Sequence, residues 1–276
     1  MNKKIKVSQV VLNLILIVGC TVAILPFMWI VSTSLRTPAE SFKMPPSFLP
    51  TSFKISNYAV VFTTFPFLRF IFNSILVAVA TVALSLAVSA TAAFSFARLH
   101  FRGKNTIFMI FMAGLMVPAS ATMISVFIIQ SKLGTVGTLW ALILPAMISP
   151  VHIFLMRQFM MTIPKSYEES AEIDGCNRFR IFLHVILPMC KPVMILAGLQ
   201  VFIGSWNNFI GPLIYLRSWD SMTLPIGLYA LRGYMGTGNV SEILAGITVS
   251  LVAPVLLFVF GQKHLVEGIA LTGVKS

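Results

Sequence analysis

Of the 276 residues 57% are apolar and only 10% charged, and a mean hydropathy of +0.91 excludes an ordinary water-soluble domain. Twenty Lys and Arg against 8 Asp and Glu leave a net charge of +12, and a basic excess spread so thinly through apolar sequence points to membrane orientation, with no nucleic-acid partner. Three cysteines, Cys20, Cys176 and Cys190, make no complete disulfide set, and no Cys/His cluster has metal-ligand spacing, so no metal is expected.

An apolar helix must run about 20 residues to cross the roughly 30 Å of hydrocarbon in a bilayer. Six stretches qualify, at 7–35, 70–97, 107–129, 138–161, 192–216 and 243–266. The fold class expected is all-α: a polytopic integral membrane protein in which 1–276 is a single transmembrane domain. The opening Asn2-Lys3-Lys4-Ile5-Lys6 and the later Cys20 resemble a lipoprotein signal, but the apolar run continues to Ile30 and is too long to be a cleaved segment. With the N-terminus in the cytoplasm, 13 basic residues fall inside and 7 outside, and the cluster Arg98 to Lys104 lies inside, in accord with the positive-inside rule. Both termini are then cytoplasmic, in a bacterial inner membrane. Pro26, Pro118, Pro145, Pro150 and Pro254 interrupt spans, so kinks are expected, with Pro118 the best-placed hinge beside Gly114, Ala119 and Ser120.

The connection 36–69, rich in proline, reads as an irregular outer cap with one short helix near Ile55 to Phe62. The outer segment Arg217 to Ser241, with Gly227, Gly233, Gly236 and Gly238, reads as flexible backbone available to a partner or a gate. None of the eight acids lies well inside a span, which argues against a proton relay or an aspartyl intramembrane protease. His152 falls inside span four, where a lone histidine is more often a packed, hydrogen-bonded residue than a ligand. Gly103-Lys104 lacks the remainder of a phosphate-binding loop, so energy for uphill movement must enter through a partner.

The inner connection 164–191 carries the most information. Ser166 with Glu169 three places on has the form of a capping box, Glu168 and Glu169 complement a helix dipole, and Gly175 suits the left-handed position that ends a helix. Tyr167, Ala171 and Asp174 share a face on which the small Ala171 permits close approach by another protein. Asn177 then caps a second helix, Arg178 to Leu187, with Phe179, Phe182, Leu183 and Ile186 as its apolar stripe; Pro188 and Pro192 end it. A merely solvated charged loop is the alternative.

Glu169-Ser170-Ala171, three residues, Gly175, nine residues and Val185-Ile186-Leu187-Pro188 resemble the EAA motif of ATP-binding-cassette importer permeases, E-A-A-x3-G-x9-I-x-L-P, with Ser170 for Ala and Val185 for Ile. Asn73-Ser74, Ala92 to Arg98, Trp206-Asn207-Asn208-Phe209 with Pro212-Leu213, and the ending Gly268 to Lys275 are similar to permeases of the carbohydrate-uptake group, nearest its smaller, six-span maltose-type subunit. The resemblance implies a non-catalytic subunit embedded in lipid that works with a paralogous permease, two cytoplasmic ATPases and an extracytoplasmic sugar-binding protein. ATP and Mg would be held by the ATPases, and this chain would bind no cofactor.

The same resemblance gives coupling roles to Glu169, Ser170, Ala171, Gly175, Phe179, Phe182, Leu187 and Pro188, and contact with the ATPases to Leu271, Thr272 and Gly273 in a tail at 267–276. Asn73, Trp206, Asn207 and Asn208 are candidates for the substrate path, since sugars need hydrogen bonds and a flat apolar surface; interhelical hydrogen bonding is the alternative for each asparagine. The expected solute is a di- or oligosaccharide. A glycerol-phosphate ester within the family, a self-contained secondary carrier and a non-transporting membrane anchor are the competing readings.

Overall fold

The computed structural model describes residues 7–41, 43, 47–235 and 239–273, with side chains at 9–41, 43, 47–232 and 239–262. All regular structure among them is helical, as expected where lipid leaves every backbone polar group to be satisfied internally. The helices are α1 (Val7–Ser34), α2 (Pro38–Ser41), α3 (Ser56–Thr64), α4 (Phe67–Arg98), α5 (Lys104–Ala113), α6 (Ala119–Lys132), α7 (Trp140–Ala146), α8 (Pro150–Thr162), α9 (Ser166–Ile173), α10 (Arg178–Ile181), α11 (Leu187–Met189), α12 (Lys191–Trp206), α13 (Ile210–Tyr215), α14 (Leu224–Met235) and α15 (Val240–Gly273). A 3-10 turn, Gly114–Met116, extends α5, and a π-turn, Phe182–Ile186, joins α10 to α11.

Among the described residues, three helical segments are long and apolar enough to cross a bilayer unbroken: Gln9–Ser34, Phe67–Arg98 and Val240–Gln262. Pro26 and Pro254 sit inside α1 and α15 without breaking them. The remaining candidates are three bent helix pairs, which give up to six spans if each pair is counted as one. The pair 104–116 and 119–132 meets at 107°, because Val117 is extended ahead of Pro118, as steric conflict with a proline ring demands. The arm from Lys104 to Met116 reaches only about 20 Å at the helical rise, too little to cross alone.

Span four breaks by 42° between Ala146 and Pro150, where Pro150 opens α8 and the Ser149 hydroxyl accepts the His152 N–H. Span five is also discontinuous: α12 stops at Trp206, and α13 resumes at Ile210 after a turn in which Asn208 Oδ1 accepts the Gly211 N–H at 3.1 Å. Such side-chain bonding competes with the helical ladder. Helix α15 continues to Gly273, past the boundary expected at Val266.

The chain divides into two compact units, Met1–Phe67 with Gly227–Val252, and Leu68–Ile226 with Ala253–Ser276. In the first, the segment expected to be an irregular cap is held by buried polar contacts. The Arg36 guanidinium, 1% exposed, donates to the carbonyls of Ser47 and Phe48 and lies 4.7 Å from the Trp29 ring centre. Asn57, on α3, donates to the carbonyls of Ser34 and Arg36 at 2.8 and 2.9 Å. Glu40 accepts the Thr51 N–H at 2.6 Å. The glycine-bearing outer segment is helical over Leu224–Met235, rather than open backbone; Gly236 and Gly238 lie outside the described residues.

In the second unit α4 is the spine. Thr81, Ser85, Ser89 and Ala93, four residues apart, are fully buried, and small side chains on one helical face let neighbouring helices approach closely. A Cβ at Gly198 of α12 would lie 3.4 Å from Leu86 Cδ1, which shows how close α12 comes. A core of Ala90, Phe94, Met156, Met160, Ile181, Ile186 and Ala197 binds α4, α8, the 178–189 segment and α12 together.

Candidate coupling loop and transport path

Helix α9 begins one residue earlier than a capping box would place it. Lys165 holds the N-cap position in helical geometry, its carbonyl accepting the N–H groups of Glu168 and Glu169 at 2.9 and 3.0 Å. Ser166 therefore lies inside the helix, and its hydroxyl makes no cap; the reciprocal Ser166/Glu169 pairing is corrected. The end of the helix is as expected. Gly175 has φ +79°, the Gly175 N–H meets the Glu172 carbonyl at 3.0 Å and the Cys176 N–H meets the Ala171 carbonyl at 2.9 Å, the two bonds of a Schellman motif.

The helix has two chemically distinct faces. Glu168 and Ala171 are buried in the isolated chain, and Ala171 belongs to the core cluster that includes Met160 and Ile181. Tyr167, Glu169, Ser170 and Ile173 face outward, and Ile173 is 88% exposed. Asn177 Oδ1 accepts the Arg180 N–H at 2.9 Å and caps α10 as expected.

A π-turn at 182–186 follows α10, and the apolar stripe is only partly buried. Phe182 and Ile186 are buried, with Phe182 against Phe94 at 5.0 Å, but Phe179 is 67% exposed. The side chains of this segment that enter the core are Ile181, Phe182, Ile186 and Cys190. Leu187 packs against the same core, Pro188 is exposed, and the chain turns by 76° at Cys190 into α12. Leu271 and Thr272 occupy the last turn of α15 with Gly273, and their side chains lie outside the described residues.

At the opposite end of α4, Asn73 is already committed. Its amide donates to the carbonyls of Asp220 and Met222, both at 2.9 Å, while Ser74 accepts the Leu224 N–H at 2.7 Å. Through its amide nitrogen Asn73 ties down the 218–224 connection, and it is not among the residues that line the cleft described below. Trp206 is buried and stacked on Phe202 at 5.8 Å. Asn207 is exposed at the end of α12, whereas Asn208 reaches a cleft.

That cleft, about 390 Å³, lies within the second unit. Its polar lining is Ser74, Thr81, Ser149, His152, Gln200, Ser205, Asn208 and Thr223, and no Lys, Arg, Asp or Glu lines it. The hydroxyls of Thr81 and Thr223 and the Nδ1 of His152 are buried without a hydrogen-bond partner. Only Asn208 belongs to the candidates expected from sequence. Gln200 was legible in principle: Gln200, Gly204 and Asn208 recur every four residues, one face at the end of an apolar helix, whereas Ser205 lies off that series.

Comparison with known proteins adds the following. A profile of the family described as "Binding-protein-dependent transport system inner membrane component" matches residues 7–270. The chain is 33% identical, over 92% of each sequence, to the arabinooligosaccharides transport system permease protein AraQ of Halalkalibacterium halodurans. It is 31% identical to the sulfoquinovosyl glycerol transport system permease protein SmoH of Agrobacterium fabrum, over 91% of this chain and 88% of that one. A chain of a bacterial ABC transporter involved in the import of the acidic polysaccharide alginate shares the fold, with TM-score 0.81 over 95% of this chain and 98% of that chain at 22% identity.

Proposed function

We propose a function from one premise: this chain belongs to the family of binding-protein-dependent transport system inner membrane components, as a non-catalytic transport subunit. In this reading it is the permease for a di- or oligosaccharide, seated in a bacterial inner membrane with both termini cytoplasmic. It forms half of a path whose other half is a paralogous permease. Two ATPase subunits, holding ATP and Mg, sit on its inner face, and an extracytoplasmic binding protein delivers the sugar.

The observation that carries the reading is the outward face of α9. A helix closed by a Schellman motif presents Tyr167, Glu169 and Ile173 to solvent beside the exposed Phe179, and such an apolar group on a polar loop marks a protein contact. Its buried face rests on the spans, so a push on α9 reaches the bundle. The hydroxyl- and amide-lined cleft supports a sugar as the solute, because an uncharged lining of Ser, Thr, Asn and Gln side chains suits neutral hydroxyl groups. Names of relatives support the same class, since AraQ is named for arabinooligosaccharides.

The test is reconstitution in liposomes. The chain alone is expected to move no sugar under an ion gradient, and to do so only with its paralogue, ATPase, binding protein and ATP. Tyr167→Ser with Ile173→Ser should weaken co-purification of the ATPase at least about tenfold, as loss of anchors at a protein interface does. Transport by the chain alone, or undiminished ATPase association in that variant, would refute the reading.

A further inference from the structure

The buried charges under α9 have no part in the outward docking face. Arg98, the last residue of α4, and Glu168, on α9, are 6% and 8% exposed and approach to 2.8 Å as an ion pair. The same guanidinium donates from Nη2 to the carbonyls of Met160 and Ile163, both at 2.7 Å, at the C-terminal end of α8, where the Met160 carbonyl also accepts the Ile163 N–H at 3.2 Å. Arg157, on α8, returns the contact: its Nε donates to the Phe96 carbonyl at 3.1 Å in the last turn of α4, and its guanidinium lies 4.2 Å from the Phe108 ring centre. Each helix therefore has terminal carbonyls closed by an arginine of the other.

Cations at helix C-termini also oppose the negative end of the dipole, and charge-assisted hydrogen bonds are short and directional. A slide or rotation of α4 against α8 would break several at once in a buried place. Arg178 extends the cluster at the surface, 2.6 Å from Glu172 and 3.9 Å from Glu168. A buried ion pair adds little stability over apolar side chains of similar size, so stability alone does not account for this one; what it supplies is a defined geometry.

We propose that Arg98 is a positioning residue for coupling: with Arg157 it clamps the ends of α4 and α8 to one another, and through Glu168 it fastens α9 to both. Displacement of α9 then enters spans two and four together, as one body, rather than through the aromatic side chains of the 178–189 segment. The proposal rests on the docking of α9 proposed above.

The experiment uses the complete importer in proteoliposomes and reads sugar moved per ATP hydrolysed. Wild type must first show binding-protein-stimulated hydrolysis with uptake; hydrolysis-independent uptake overturns the docking reading and this proposal with it. Arg98→Met with Glu168→Leu removes both charges, so neither is stranded. The expected result is an assembled complex that still hydrolyses ATP but moves about tenfold less sugar per ATP, within the usual range of coupling factors.

An unchanged ratio, including a parallel fall of uptake and hydrolysis, overturns the clamp while leaving docking intact. Should the double variant fail to assemble, Glu168→Gln decides, since it keeps the shape and removes only the charge: a lowered ratio supports the clamp and an unchanged one overturns it. Arg98→Lys, with charge but no fork to hold two carbonyls, should fall between.

Discussion

Gly175 shows how much one residue contributes. Its φ of +79° lies where a side chain costs about 1–2 kcal/mol, yet a Cβ there would meet nothing within 4 Å. The penalty for substitution is thus purely one of backbone, and it falls on the joint that aims α9 and starts α10. Gly175→Ala should lower transport while leaving the complex assembled, Gly175→Val should lower it further, and Gly175→Asn should retain most of it, because asparagine tolerates the left-handed region. Uptake by the three variants, with assembly followed by co-purification, checks the order; equal transport by Val and Asn would show that this φ does not matter.

Neighbouring residues differ as sharply in what they do. Glu169 fits the resemblance to the EAA motif and is exposed, whereas Glu168, which that motif leaves out, is the acid the chain itself uses. Sequence distinguishes the two poorly, since both stand in the first turn of a helix and both suit its dipole. Burial separates them, and burial follows from the arrival of Arg98 from 70 positions earlier in the chain.

At the scale of elements, interruption is the recurring theme. Helices α5 and α6, α7 and α8, and α12 and α13 are each halves of an apolar run, and irregular backbone at membrane depth is tolerated where it lines a cavity or is buried in protein. Two of these breaks border the cleft: Ser149, Pro150 and His152 come from one, and Asn208 and Pro212 from the other. The side chains at these breaks are therefore where the path should be sensitive. Gln200→Leu with Asn208→Leu is expected to cut sugar uptake about tenfold with assembly preserved, as loss of buried hydrogen-bonding groups toward a polar solute does, and Asn207→Leu, at the exposed neighbour, should matter less. Uptake measured on matched amounts of assembled complex checks this; a fall for Asn207→Leu alone would move the path to the other side of α12.

The breaks at Pro118 and Pro150 were legible because proline restricts the residue before it, whatever surrounds it. Their angles were not, since 107° and 42° arise at the same residue type. Nor was the π-turn at 182–186, which alters the spacing of the positions after Phe182. Helical periodicity counts residues per turn on the assumption that the turn is regular, and one wide turn shifts every later position.

For the whole molecule, the most consequential feature is surface left without a partner. The apolar window of α1 is wholly exposed in the isolated chain, and the corresponding window of α15 is only 11% buried. Lipid or another subunit must cover them, because exposed apolar area of this extent is not stable in water. Cysteines report on the distribution: Cys20 is exposed on α1, Cys176 is half-buried and Cys190 is buried. In detergent-solubilised chain a membrane-permeable maleimide should modify Cys20 first and leave Cys190 unmodified until denaturation. Early modification of Cys190 would mean that the core around α4, α8 and α12 is loosely packed in solution.

By itself the sequence determined those features that depend on composition and on near neighbours. These are the membrane as solvent, the number of apolar runs, the turn at Gly175 with its two Schellman bonds, and the cap at Asn177, all of which are settled within one or two turns of chain. Tertiary structure alone decided which side chains are free to act. Asn73 spends its amide on carbonyls 147 and 149 positions away, Ala171 turns inward, and Gln200 and Ser205 join Asn208 in a cleft to which five distant segments contribute. A polar group in a membrane protein must find some partner, and sequence reveals the need without revealing which of many distant groups will meet it.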